Sequence, residues 1–115
     1  MLKKPKPSTA ELRRHATMIR SIGMCVAELM RPEPCGGELQ SCHGRIGGGA
    51  GIAQKPPKRE VPMCALHHSI QHKVGEKTFW GERLNEVITL ACVLGVMTDD
   101  LEQAQFECME FRYGY

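Results

Sequence analysis

The chain has 115 residues, 42% of them hydrophobic, and a formal net charge of +2. This length suits one domain with a core of modest size, so additional staples would help it fold. No apolar run is long enough for a signal-peptide core or a membrane span, and a cytoplasmic protein with no membrane partner is expected.

The small net charge hides a split. Up to Arg83 there are 14 Lys and Arg against 7 Asp and Glu, whereas Leu84 to Tyr115 carries 1 against 6. The first part therefore favours polyanions such as nucleic acid, although a basic arm bearing Lys3, Lys4 and Lys6 can equally be a solvated tail. The six cysteines can be disulfides, metal ligands or small core residues. In a reducing compartment, metal ligation is the better account of clustered ones.

In chain order, residues 1–8 read as the basic arm. Ser8 with Glu11 forms a capping box, and Leu12, Ala16 and Ile19 recur at helical spacing until Gly23. Arg13, Arg14 and Arg20 ride on this helix and can either meet phosphates or form a solvated face. Met24 to Val26 is expected as a short strand, returned by Pro32, Pro34, Gly36 and Gly37 to a second strand over Glu38 to His43. Gly44 to Pro57, with glycine at 44, 47, 48, 49 and 51, reads as a long loop. It lacks the Gly-Lys-Ser/Thr of a phosphate-cradling loop. Arg45, Lys55, Lys58 and Arg59 in and beside it are candidate DNA contacts. Val61 to Met63 can return as a strand, and Ala65 to Lys73 as a short helix ended by Gly75. Beyond Phe79 and Trp80, Leu84, Val87, Ile88 and Ala91 mark an amphipathic helix. Thr98, Asp99 and Asp100 then cap a last helix with Leu101, Ala104 and Cys108. Cys92 and Cys108 read as small core residues.

The densest chemistry is Cys64-Ala-Leu-His67-His68-Ser-Ile-Gln-His72. His68 and His72, four apart on a helix, project from one face and can hold a single cation. Cys64-x-x-His67 has the spacing of a zinc knuckle. Cys25 and Cys35 supply a second half, giving a Cys₃His structural Zn²⁺ site, unless Cys25 is simply core. His43 stands apart: a neutral imidazole can take a proton from water while a cation on His68 and His72 stabilises phosphate charge. The only aspartates are Asp99 and Asp100, and imidazole ligands suit zinc, manganese, cobalt or nickel better than magnesium alone.

These residues carry a resemblance. Ser41-Cys42-His43-Gly44-Arg45, the glycine-rich run Gly47 to Pro56, Val61-Pro62-Met63-Cys64-x-x-His67-His68-x-x-x-His72 and Gly75-Glu76-x-x-Phe79-Trp80 stand in one order and spacing. Together they resemble phage and prophage HNH (ββα-metal, His-Me finger) nucleases of the Ref-like and YbcO-like kind. The resemblance covers Cys25 to Trp80, about half the chain. It implies an α+β fold: a small ββα-metal core with a zinc knuckle, flanked by an N-terminal helix and C-terminal helices. Residues 9–83 would be the nuclease-like domain and 84–115 its helical extension.

The activity implied is endonucleolytic hydrolysis of DNA in phage or prophage recombination or DNA processing, with a RecA-type recombinase as a possible partner. His43 would be the general base. His68 and His72 would ligate a catalytic Mg²⁺, Mn²⁺ or Zn²⁺, and Cys42 falls where some relatives have a third ligand. Such nucleases commonly place an acidic or amide residue after Lys-Pro to orient the base. Here the chain reads Lys55-Pro56-Pro57-Lys58-Arg59, and a backbone carbonyl is expected to orient His43 instead. The alternative is a non-catalytic zinc-stabilised module that binds DNA or a recombinase.

Overall fold

The computed structural model describes residues 7–43, 58–97 and 100–113. Helix α1 (Thr9–Ser21) begins where expected, with Ser8 Oγ accepting from the backbone N–H of Glu11 at 3.1 Å. It buries His15, Met18 and Ile19, and the chain leaves it through Gly23 at a φ of +82° that suits glycine.

The expected strand over Met24 to Val26 does not form. Residues 25–30 instead wind into turns, with Glu28 N–H on the Cys25 carbonyl and Met30 N–H on the Ala27 carbonyl. The segment is too short to ladder, and one hydrogen bond ties it to the sheet, from Val26 N–H to the Pro62 carbonyl at 3.0 Å. The partner of β1 (Leu39–His43) is therefore β2 (Glu60–Cys64). They pair antiparallel from Leu39 opposite Cys64 to His43 opposite Glu60. Pro62 sits in β2 without cost to the ladder: its ring nitrogen faces the outer edge, on the side where its carbonyl meets Val26.

Every residue of β2 is buried, because α1 covers the hairpin on one side and α4 packs on β2 from another. Helix α2 (Ala65–Val74) follows β2 directly and is stopped by Gly75, at a φ of +88°. A further short helix α3 (Glu76–Trp80) and one 3₁₀ turn lead into α4 (Leu84–Gly95). Helix α5 (Leu101–Tyr113) begins with Asp100 Oδ1 accepting from Gln103 N–H, while Thr98 and Asp99 lie outside the described residues. One core joins these elements, from Ile19 and Ile22 through Met63 and Phe79 to Leu94, Ala104 and Cys108. Cys108 is fully buried, as its place in the helical pattern implied, and Cys92 is half-buried. No described helix is long and apolar enough to cross a membrane.

Two arginines seal the last helix. Arg83 lies over the Phe111 ring, 4.0 Å from its centroid, and donates to the Phe111 carbonyl and to Glu86. Arg112 pairs with Glu28 at 2.6 Å. Gly95 closes α4 against the 58–60 segment, where an added Cβ would overlap the Lys58 carbonyl. Gly→Ala near a helix end ordinarily stabilises by up to about 1 kcal/mol. Gly95→Ala should instead destabilise by about 1–3 kcal/mol, measured as a fall in urea midpoint at constant slope.

Candidate metal centre

Cys25, Cys35, Cys64 and His67 come together as the sequence led one to expect, with their ligand atoms all within 4.8 Å of one another. Each arrives by a different route. Cys25 sits in the turn after Gly23. Cys64 ends β2 and serves as the N-cap of α2, its sulfur accepting from His67 N–H at 3.4 Å. His67 occupies the first turn of α2 and is fully buried.

Cys35 is delivered by the 33–38 loop, which is clamped onto the start of α2. Ala65 N–H donates to the Glu38 carbonyl and Leu66 N–H to the Gly36 carbonyl, each at 2.9 Å. These bonds occupy donors that a helix start leaves without intrahelical partners. The clamp needs Gly37: its φ is +80°, and an added Cβ would come within 2.7 Å of Ala65 Cβ.

The imidazole of His67 is held in one tautomer. Its Nε2–H donates to the Glu33 carbonyl at 2.9 Å, leaving Nδ1 toward the sulfurs of Cys64, Cys25 and Cys35 at 3.2, 3.4 and 3.8 Å. A tetrahedral zinc with bonds of about 2.3 Å to sulfur and 2.0 Å to nitrogen has an S···N edge of about 3.5 Å. The four donors therefore fit a metal such as zinc, and the Glu33 carbonyl is the outer partner a ligating histidine needs.

The thiols' acidity fits the same use. Burial pushes Cys25 up, and burial with the neighbouring Cys25 and Cys64 sulfurs pushes Cys35 up to about 12. Burial also opposes ionisation of Cys64, but backbone donors from His67 and Gly36, together with hydrogen bonds from the Cys35 and Cys25 thiols, outweigh it and leave this thiol below its ordinary value. Three sulfurs so close resist ionising together unless a cation neutralises them.

His68 and His72 make a second, sparser arrangement. Their Nε2 atoms lie 3.1 Å apart on one face of α2, and His68 Nδ1 meets Gln40 Oε1 at 2.8 Å. Gln40 is itself oriented by donating to Glu38, so His68 carries its proton on Nδ1 and turns a lone pair toward His72. Among the described residues no third His, Cys, Asp or Glu joins this pair at ligand-sharing distance. Cys42 does not: its buried sulfur accepts from Gln71 Nε2 at 3.2 Å, Gln71 in turn accepts from Trp80 Nε1, and burial pushes the thiol up to about 12.

His43, at the end of β1, meets a residue that sequence reasoning missed. Its Nε2 lies 3.4 Å from the carboxylate of Glu60, which is buried and stands directly opposite in the ladder. A buried carboxylate thus faces this imidazole. The only hint in the sequence was an acid just before Val61, uninformative until the strand register is known. His43 also borders a cavity of about 20 Å³ with Gln71, Glu76 and Trp80, at the end of α2 that carries His72.

Of the candidate DNA contacts, Arg45 and Lys55 lie outside the described residues. Lys58 is paired with Glu11 at 3.6 Å, and Arg59 also has a partner. Compared with known proteins, the chain matches no family, no curated sequence and no solved structure.

On the other side of Glu60, the buried His15 Nε2 is 4.0 Å from its carboxylate, and neither ring nitrogen has a hydrogen-bond partner. Burial pushes His15 below the ordinary imidazole range, more than Glu60 draws it back, so the folded state holds it neutral. An unfolded chain takes up that proton as pH falls through about 6.5, and the folded chain does not. Stability should therefore fall on acidification. His15→Leu should lessen the drop in Tm between about pH 7.5 and pH 5.5; an identical drop in both proteins would contradict the burial argument.

Cobalt(II) titration of the reduced protein tests the ligand set. It should produce thiolate charge-transfer and tetrahedral d–d bands, which Cys25→Ser and Cys64→Ser weaken or abolish and Cys108→Ser leaves unchanged.

Proposed function

We propose that this chain is a metal-dependent DNA endonuclease of the ββα-metal type, stapled by a structural zinc on Cys25, Cys35, Cys64 and His67. The observation that carries the reading is the convergence of His68 and His72 on the helix that follows a two-stranded hairpin, with His68 locked by Gln40. That strand–strand–helix order, with a histidine ending the first strand, is the arrangement the resemblance to HNH nucleases implies.

In this reading His68 and His72 hold one divalent cation, magnesium, manganese or zinc, whose Lewis acidity stabilises charge on the scissile phosphate. His43 takes the proton from the attacking water. Glu60, at Nε2, keeps the ring in position and favours the imidazolium that forms. Lys58 and Arg59, with Arg45 and Lys55 from the intervening segment, would contact phosphates. Phage or prophage recombination or DNA processing, alone or on a RecA-type filament, is the setting the resemblance suggests.

A second reading is a zinc-stabilised module that binds DNA or a recombinase without cutting it. What favours it is that only two described side chains converge at the second site, against four at the first.

Nicking of supercoiled plasmid with magnesium, manganese or zinc, with and without a RecA-type filament, separates the two. Wild type should nick. His43→Ala should lose about 10²-fold or more in rate with its Tm unchanged, and Glu60→Gln about 10-fold or more. Undiminished nicking by His43→Ala would sink the mechanism, and no nicking by wild type under any condition would favour the module.

A further inference from the structure

Six of the described arginines fall into two contrasting groups, and Arg59 has a partner of its own. Arg31, Arg83 and Arg112 are each paired with a glutamate, at 2.9, 2.8 and 2.6 Å. Arg13, Arg14 and Arg20, all on α1, meet no carboxylate among the described residues. Arg20 donates only to Thr17 Oγ1, at 3.3 Å. The one acid on α1, Glu11, is drawn to Lys58 at 3.6 Å, so nothing on the helix neutralises them.

Helix geometry puts these cations together. α1 buries His15, Met18 and Ile19 and leaves Arg13, Arg14, Thr17, Arg20 and Ser21 exposed on its outer side. Arg13 and Arg20 are seven residues apart, about 10 Å along the axis. A single small anion would need guanidinium groups that converge on one point. Groups strung along a helix instead match a ligand that is itself a row of charges. Beside them, Arg14, Thr17 and Ser21 line an open groove of about 320 Å³ that reaches Leu101 at the start of α5.

The inner side of the same helix reaches the candidate base. His15 lies 4.0 Å from Glu60, and Glu60 3.4 Å from His43. From these placements we infer that the outer face of α1 is a phosphate-backbone binding surface for duplex DNA, engaged through Arg13, Arg14 and Arg20. It rests on the nucleic-acid part of the reading above for its ligand class, and it does not need the chain to cut. Such contacts set affinity and position without reading sequence.

The test is fluorescence anisotropy with a labelled duplex across a salt series, with no divalent metal added, comparing wild type with the triple variant Arg13→Ala, Arg14→Ala, Arg20→Ala. Each phosphate contact contributes about 0.9 to the slope of log affinity against log salt. The triple variant should lower that slope by about 2 to 3 and weaken binding about tenfold or more at low salt, while Arg→Lys at all three positions preserves the slope. An unchanged Tm and cobalt spectrum in both variants exclude misfolding. Unchanged affinity and slope in the triple alanine variant would overturn the surface, whether or not plasmid is nicked. So would poly-glutamate displacing the duplex as well as unlabelled DNA does at equal charge, since the face would then recognise any polyanion. If wild type never nicks but the triple variant still loses duplex binding, the surface stands and only the nuclease reading fails.

Discussion

Cys64 belongs to three structures at once, and the rest of the fold is arranged around that coincidence. It is the last residue of β2, the N-cap of α2 and one of the four clustered metal donors. Its sulfur accepts the His67 N–H, so forming the first turn of the helix is what aims His67 Nδ1 at the sulfurs. The 33–38 loop then adds Cys35 by bonding its carbonyls to the next free donors of the helix. A chain of this length buries a smaller share of its surface than a larger domain. A metal at this junction would tie the segment after α1, the loop, the sheet and the helix at one point, and the free energy of binding it would become folding free energy.

Much of this was legible because it depends on local spacing. The Ser8 cap, the stop at Gly75 and the one-face pair His68 and His72 are statements about neighbours within a turn or two of helix. The Cys₃His set was legible for a different reason: cysteine and histidine are scarce, and Cys64-x-x-His67 leaves few partners to choose among. What was not legible is what long-range register decides. Whether β1 pairs with Met24 to Val26 or with Glu60 to Cys64 turns on which segment can ladder five residues, and hydrophobic pattern alone does not distinguish the two. With Met24 to Val26 expected as the partner of β1, neither Glu60 opposite His43 nor Gln40 beside His68 stands out. Both are common polar residues whose significance comes only from what stands across from them.

The polar groups in and bordering the interior follow one design. Gln40 holds His68, Gln71 bridges Cys42 and Trp80, the Glu33 carbonyl holds His67 and Glu60 faces His43. In each case a group with defined donor and acceptor ends stands against a ring or sulfur that would otherwise have freedom of orientation or tautomer. A buried carboxylate such as Glu60 is costly to desolvate, and an unpartnered imidazole such as His15 beside it recovers little of that cost. Simple packing would be better served by two apolar side chains. What the buried carboxylate does have is a histidine to face, His43 at the end of β1.

Charge is distributed by the same logic. Charge pairs also make internal ties: Arg83, held by Glu86, reaches Phe111 on α5, and Arg112 of α5 reaches back to Glu28. Lys58 and Glu11 fasten α1 to the start of β2 in the same way. Once those internal ties are made, Arg13, Arg14 and Arg20, on one side of α1, still meet no carboxylate among the described residues. A net charge of +2 would suggest a surface with no preference. The pairing pattern leaves one group of cations without acids on α1, whose inner side already packs against the hairpin bearing His43.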